Sequence, residues 1–185
     1  MLFFVILSPY MAFTAMAYVA SRTDSLMVAA LVSLAINLAD HVRGRSPKAI
    51  GLVSTAMLSA LASYFVLGET EWRRVEISLL FDLGIFAVAL ISIALRRPFT
   101  LQYARETTDA AIQADPGFLQ INYVLTWVWA AAMALMTAVD VLSIYLPSLP
   151  LWAGLALTFV LRSSAVQFTK WYPHRIRAET ATIRI

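Results

Sequence analysis

The stretch from Gln120 to Leu146, QINYVLTWVWAAAMALMTAVDVLSIYL, decides the fold class of this chain. Its 27 residues include one charged side chain, Asp140, and about 20 apolar residues suffice for a helix to cross a hydrocarbon core of about 30 Å. Because a charge in hydrocarbon is costly, we expect Asp140 to face the interior of a helix bundle. The stretch therefore predicts a membrane-spanning helix with a polar inner face.

The composition of the whole chain extends this prediction. Of the 185 residues, 61% are hydrophobic and 14% are charged, and the mean hydropathy is +0.75. These values lie beyond those of ordinary soluble domains. The chain has no cysteine, which excludes disulfides, thiolate metal sites and a cysteine nucleophile. We therefore expect an all-α, polytopic transmembrane bundle that forms a single membrane domain over residues 1–185.

The apolar pattern predicts six spans, of which the second is the shortest. The first starts at Met1 without a basic region and is expected to be a retained span. The spans cover residues 2–20, 25–39, 49–67, 75–95, 120–146 and 151–169.

Basic residues between the spans predict the orientation of the bundle. Ten lie on one side of the predicted membrane and three on the other. By the positive-inside rule, both termini, the loop 96–119 and the basic tail 170–185 are expected in the cytoplasm. Trp171 and Tyr172 fall at the inner membrane surface, where aromatic belts occur. The basic residues behind the net charge of +3 thus indicate the topology of the spans, and no nucleic-acid partner is predicted.

Three charged residues within the spans form a candidate intramembrane polar cluster: Asp82, Asp140 and Arg162. The two carboxylates are expected at a similar depth, and Arg162 somewhat deeper. In a structural interpretation, Arg162 neutralises a carboxylate and fixes the helix register. In a functional interpretation, the acidic pair binds a proton or a cation. Both interpretations remain open at this point.

Small and polar residues at helical spacing predict the faces on which the helices pack. Ala130, Ala134 and Ala138 form a close-approach edge on the fifth span, because small residues let helix backbones approach in lipid. The other faces are stripes that include polar residues. They comprise Ala30, Ser33, Asn37 and His41 on the second span, Thr55, Ser59 and Ser63 on the third, and Trp129, Met133, Met136 and Asp140 on the fifth.

The loop 96–119 is the only sizeable segment predicted outside the membrane. Its Pro98 suits a first helical turn, and Phe99 and Tyr103 share a helical face, so an interfacial amphipathic helix is expected. This helix has either a solvated charged face or a surface for a partner or lipid. The residues that would make such a contact are Arg96, Arg97, Phe99, Tyr103 and Arg105.

The sequence contains no recognisable catalytic motif. Nucleotide-binding, hydrolase and zinc-protease signatures are absent, and His41 and His174 both fall at cytoplasmic ends. The prediction is therefore a protein that is not an enzyme and has neither a metal nor a cofactor.

Four stretches in chain order resemble the intracellular septation protein A family of the bacterial inner membrane. They are ILSPY at 6–10, RPF at 97–99, LTWVWA at 125–130 and LTFV at 157–160, the last followed by Gln167. The chain departs from that family at Asp140-Val141, where Asn-Glu is usual, and at Arg162, where the family is apolar. The resemblance implies a multi-pass inner-membrane protein linked to septation and the cell envelope, which acts through protein contacts.

Three functions are consistent with the sequence. The first is a non-enzymatic scaffold for envelope synthesis or cell division, in contact with the lipid bilayer, with other membrane proteins and with further copies of itself. The second is a small transporter or channel that uses Asp82 and Asp140 to bind a proton or cation. The third is an accessory subunit of a larger membrane complex.

Overall fold

The computed structural model describes residues 9, 12–13, 15–16, 19–68, 72–146, 148 and 150–183, with the backbone alone at 151 and 177–183. Within these ranges the regular structure is entirely helical, which confirms the all-α prediction. The helices are α1 (Arg22–Val42), α2 (Ala49–Leu67), α3 (Arg74–Ala94), α4 (Thr100–Arg105), α5 (Ala110–Gln113), α6 (Pro116–Tyr145) and α7 (Leu151–Ile183).

Four of the described helices, α1, α2, α3 and α6, are long and apolar enough to cross a membrane. They coincide with the second to fifth predicted spans and mark the chain as a membrane protein. Most of the first predicted span, 2–20, lies outside the described residues. The sixth, 151–169, falls on the first part of α7, which is not among the four. A total of six spans and the cytoplasmic termini therefore stay predictions.

Local capping explains where α1 and α6 begin. Ser21 caps α1, where its side chain accepts a hydrogen bond from the Asp24 N–H, so the helix starts earlier than the predicted span. Asp115 caps α6 in the same way, and Pro116 occupies the first helical turn, where its missing N–H is not needed.

Two compact units make up the chain, Met1–Val88 and Ala89–Ile185. In the first unit α1 packs against α2 through polar side chains. Ser33 Oγ and Thr55 Oγ1 lie 2.7 Å apart, and Asn37 Nδ2 donates to Thr55 Oγ1 and to the carbonyls of Ser33 and Gly51. Hydrogen-bonding faces of this kind hold helices together in lipid. The predicted stripes on these spans therefore meet at Ser33, Asn37 and Thr55.

The first unit also has a defined end near Trp72. Arg22 donates to the Trp72 carbonyl at 2.6 Å, and Arg74 donates to the Ala20 carbonyl at 3.2 Å. The Trp72 ring makes edge contacts with the rings of Tyr64 and Phe65. This aromatic group lies where α1 and α3 begin and α2 ends.

The second unit is organised by the antiparallel packing of α6 and α7, with the short helices α4 and α5 against α6. Trp129 Nε1 donates to Thr169 Oγ1 at 3.0 Å near one end of this hairpin. Near the other end, a Cβ added at Gly154 would lie 3.3 Å from Ser143 Oγ, so the backbones approach closely there. These two contacts define the register of the hairpin.

Candidate functional site

The hairpin of α6 and α7 positions two of the three predicted intramembrane charges. Following the register, Asp140 lies level with Leu157 and Thr158. Arg162 lies four to five residues further from the junction of the two helices, about 7 Å along the axis. Asp140 is 8% exposed and Arg162 is 9% exposed.

The direction of the side chains brings these two charges toward each other. In an α-helix the Cα–Cβ bond tilts toward the N-terminus of the helix. For Asp140 this direction leads along α6 away from the junction, and for Arg162 it leads along α7 toward the junction. The two buried side chains therefore converge, and an extended guanidinium is long enough to close the remaining separation. This geometry favours a neutralised pair within the hairpin.

Asp82 belongs to the first unit, on α3. It is 3% exposed and follows the buried Phe81 on the inner face of that helix. Its relation to Asp140 and Arg162 stays a prediction. Like the other two charges, Asp82 is buried to a degree that is rare for a charged side chain.

A second group of predicted residues forms a turn at the end of α3. Arg96 has a φ of +56°, and it is the only residue other than glycine with a positive φ in the described part of the chain. The Arg96 N–H donates to the Ile93 carbonyl, and the Arg97 N–H donates to the Ser92 carbonyl. These two bonds form a Schellman motif, in which the residue at the position of Arg96 is usually glycine.

The end of α1 provides a comparison for this turn. There the N–H of Gly44 bonds to His41 and the N–H of Arg45 bonds to Asp40, with a φ of +69° at Gly44. The hydrogen-bond pattern is the same, but the left-handed residue is a glycine. An L side chain in this conformation costs about 1–2 kcal/mol, which glycine avoids. The turn at Arg96 is thus a strained version of the turn at Gly44.

The residues after Arg97 hold this turn in place. Pro98, Phe99 and Thr100 are buried, and the Phe99 N–H donates to Ser92 Oγ. Thr100 Oγ1 donates to the Asn122 carbonyl at 2.8 Å and lies 2.9 Å from Thr126 Oγ1. The loop is therefore fixed to the base of α6, and we call the segment 96–100 the arginine turn.

Burial divides the predicted contact residues of the loop into two sets. Phe99 and Tyr103 are 2% and 3% exposed, and their rings pack edge to face with centroids 6.5 Å apart. The side chains of Arg96, Arg97 and Arg105 are exposed. The aromatic pair thus anchors the loop inside the chain, and the three arginines are the part that a partner or headgroup can reach.

The loop also differs from the predicted amphipathic helix. It contains two short helices, α4 and α5, since α4 ends at Arg105 and a non-helical segment follows before α5 begins. The apolar face of α4 packs against protein instead of facing an interface.

The three alanines of the predicted packing edge on α6 differ in how deeply they are buried. Ala130 is buried, Ala134 is intermediate and Ala138 is exposed. The buried face instead follows the neighbouring stripe, in which Trp129, Met133, Met136 and Asp140 are all buried. Of the three alanines, Ala130 is therefore the one placed for close helix approach.

Two polar contacts of the loops were not predicted from the sequence. One is the network of Thr100 with Asn122 and Thr126. The sequence hint for it is that Asn122 and Thr126, two polar residues near the start of α6, are four residues apart and therefore share a helical face. The other is Asp40, which accepts from Lys48 at 2.7 Å and from Arg45 at 2.9 Å. Among the described residues, no group of three His, Cys, Asp or Glu side chains is placed to hold a metal ion.

The fold and these sites define the class of the protein: an all-helical membrane protein with buried charges on its helices and an anchored basic loop. No family model, no curated protein and no solved structure matches the chain.

Proposed function

We propose that this chain is a non-enzymatic scaffold of the bacterial inner membrane that binds another membrane protein through the arginine turn. The observation that carries the proposal is the strained Arg96, held with exposed Arg97 on a loop whose next three residues are buried. The proposed contact set is Arg96, Arg97 and Arg105.

The strain at Arg96 indicates that its side chain has a role. A glycine would satisfy the same hydrogen bonds without the steric cost, as Gly44 does at the end of α1. Strained residues persist where the surrounding structure fixes them, and they concentrate at functional sites. The guanidinium is the part of Arg96 that glycine lacks, so a role in binding acidic groups follows from its chemistry.

The anchoring of the turn supports a binding role as well. When a guanidinium on a flexible loop binds, the loop loses conformational entropy. The backbone of a fixed turn has already lost most of that entropy before binding. The bonds of Thr100 to α6 and the burial of Phe99 hold the backbone beside the arginines. The turn thus presents two cations in a set arrangement to an acidic surface on a partner.

The buried charges support a structural role for the interior. If Asp140 and Arg162 neutralise each other within the hairpin, neither is available to take up and release a proton. Such a pair fixes the register of α6 against α7, and loss of one partner would leave an uncompensated buried charge.

The link to septation and to the inner membrane rests on the resemblance of the four short stretches described above. The arginine turn includes one of them, Arg97-Pro98-Phe99. The cytoplasmic position of the turn rests on the excess of basic residues on its side of the membrane.

A chromosomal replacement tests the proposed scaffold. In the source bacterium, the triple variant Arg96→Glu, Arg97→Glu, Arg105→Glu should reproduce the septation or envelope defect of a deletion while the protein stays inserted at normal levels. The control is Arg43→Glu, which reverses an exposed charge at the end of α1. Normal division in the triple variant, or an equal defect in the control, would contradict the proposal.

The burial of Asp82 and Asp140 favours a second candidate, a proton- or cation-coupled transporter. In proteoliposomes, this candidate predicts a proton flux that Asp82→Asn or Asp140→Asn abolishes. The scaffold predicts no flux in the wild type. A third outcome, in which the chain is degraded when it is expressed alone, would indicate an obligate subunit of a larger complex.

A further inference from the structure

Beyond the proposed scaffold, we propose that α7 carries a binding site for anionic phospholipid headgroups just past its membrane-spanning part. The site consists of Phe168, Lys170, Trp171, Tyr172 and Arg175, which we call the headgroup collar. The proposal depends on the length of α7, on the ring contacts of the collar and on its charge.

The length of α7 places the collar at a membrane surface. The helix has 33 residues and is about 50 Å long, whereas the hydrocarbon core is about 30 Å thick. Its apolar part, 151–169, is about 28 Å long and matches the core. If this part spans the membrane, about 20 Å of helix must continue beyond it. Residues 168–175 then lie at the level of the headgroups.

Pro173 is consistent with this depth. A proline inside a helix lacks the N–H that would bond to the carbonyl four residues earlier, here the carbonyl of Thr169. In hydrocarbon the freed carbonyl would require another partner from the protein, whereas at the headgroup level water can supply one. The proline therefore suits the point at which α7 leaves the hydrocarbon.

Ring contacts give the collar a fixed shape. Phe168 and Tyr172 stack with ring centroids 5.2 Å apart and planes 13° from parallel. The Phe168 ring also lies 5.8 Å from that of Trp171, which is 50% exposed. The guanidinium carbon of Arg175 sits 5.2 Å from the Trp171 ring centroid. The indole thus combines an exposed apolar surface with an adjacent cation.

The charge of the collar selects the ligand. Lys170, which directly precedes Trp171, and Arg175, one turn after Trp171, are exposed cations. Trp and Tyr rings favour the interface between hydrocarbon and water, and cations at this level attract the phosphate of anionic lipids. The matching ligand has acyl chains beneath the rings and a net negative headgroup above them. An anionic phospholipid has both, whereas phosphatidylcholine lacks the net charge.

Native mass spectrometry of the full chain, titrated with phosphatidylglycerol or phosphatidylcholine, tests the collar. We expect the wild type to prefer phosphatidylglycerol and the variant Lys170→Gln, Arg175→Gln to bind it about 20- to 30-fold more weakly, about fivefold per cation. The control Arg96→Gln, Arg105→Gln removes the same charge from the loop and should leave this affinity within about twofold, because the rings beside those arginines, Phe99 and Tyr103, are buried and offer no interfacial surface.

Two results would overturn the proposal: equal binding of both lipids by the wild type, or a loss of phosphatidylglycerol binding in the loop control instead of the collar variant. The loop result would place the headgroup site at the arginine turn. Because the collar variant could fail to fold, a second measurement uses folded protein. Brominated phosphatidylglycerol should quench the fluorescence of Trp171, taken as the difference between the wild type and Trp171→Phe, more than brominated phosphatidylcholine does. Equal quenching would also overturn the proposal.

Discussion

At the scale of single residues, this chain is stabilised by a few polar side chains that satisfy one another inside apolar helices. Asn37 shows this most clearly, since its amide nitrogen contacts three oxygens on α1 and α2. Gly51 leaves room for this contact, because a Cβ there would lie 2.6 Å from Asn37 Oδ1. In lipid a polar group without such a contact has no hydrogen-bond partner, so these contacts specify which helix faces meet.

Replacing Asn37 tests this contact. Asn37→Leu keeps the size of the side chain but removes its donors, so we expect the free energy of unfolding in mixed micelles to fall by about 0.5–1.5 kcal/mol. Ser59→Ala is the control, because Ser59 is an exposed member of the predicted stripe on α2. Equal stability of Asn37→Leu and the wild type would mean that the contact does not hold α1 against α2.

Arg96 allows a prediction about the stability of the arginine turn. Arg96→Gly relieves the left-handed strain, so the free energy of unfolding should rise by about 0.5–1 kcal/mol, reduced by the greater freedom of glycine in the unfolded state. Arg97→Gly is the matched control and should lower stability, because no positive φ occurs there. If Arg96→Gly is less stable than the wild type, the strain argument for the arginine turn is wrong.

At the scale of helices, sequence and structure agree where apolar length alone decides the element. The spans predicted at 49–67 and 75–95 match α2 and α3 to within a residue at each end. The limits of α1 and α7 were less predictable. Capping by Ser21 extends α1, and α7 continues through the polar tail because those residues still favour a helix once the core of the hairpin has nucleated it.

The candidate site was predictable in part for the same reason. A charge in an apolar stretch is visible in the sequence, so Asp82, Asp140 and Arg162 were found, and all three are buried. The inward packing of Phe99 and Tyr103 was not visible, since a helical face of aromatic residues suits an interface or a protein core equally well. The side chains of Thr100 and Thr126, far apart in sequence, decide between the two.

The register of the hairpin can be tested through its polar link. In a double-mutant cycle of Trp129→Phe and Thr169→Val, each single change should lower the free energy of unfolding by about 0.5–1.5 kcal/mol. We expect a coupling energy of about 0.6 kcal/mol, because the Trp129 N–H donates to the Thr169 hydroxyl. The bond of Thr169 to Ala165 cancels in the cycle. Additive changes would place the two helices in a different register.

At the scale of the whole molecule, the distribution of charge organises the protein. Most basic residues lie in the loops and the tail that are predicted to share one side of the membrane, whereas Asp82, Asp140 and Arg162 in the apolar stretches are buried. We therefore interpret the interior as a rigid support and the basic side as the surface that binds partners and headgroups.

Because the chain has no cysteine, single cysteines report its orientation directly. Ala111→Cys on α5 should react with an impermeant maleimide only when the cytoplasmic side of inner-membrane vesicles is exposed. Gly68→Cys at the end of α2 should react only from the opposite side. The opposite pattern of labelling would invert the topology and place the arginine turn outside the cytoplasm.

The most direct test of the scaffold is native mass spectrometry of the protein extracted from its own membrane into lipid nanodiscs, with the co-purifying chains identified. We predict a different membrane protein at fixed stoichiometry with the wild type and with Arg43→Glu, and its loss with Arg96→Glu, Arg97→Glu, Arg105→Glu. A chain that travels alone, or only with copies of itself, would contradict the account and direct attention to Asp82, Asp140 and proton flux.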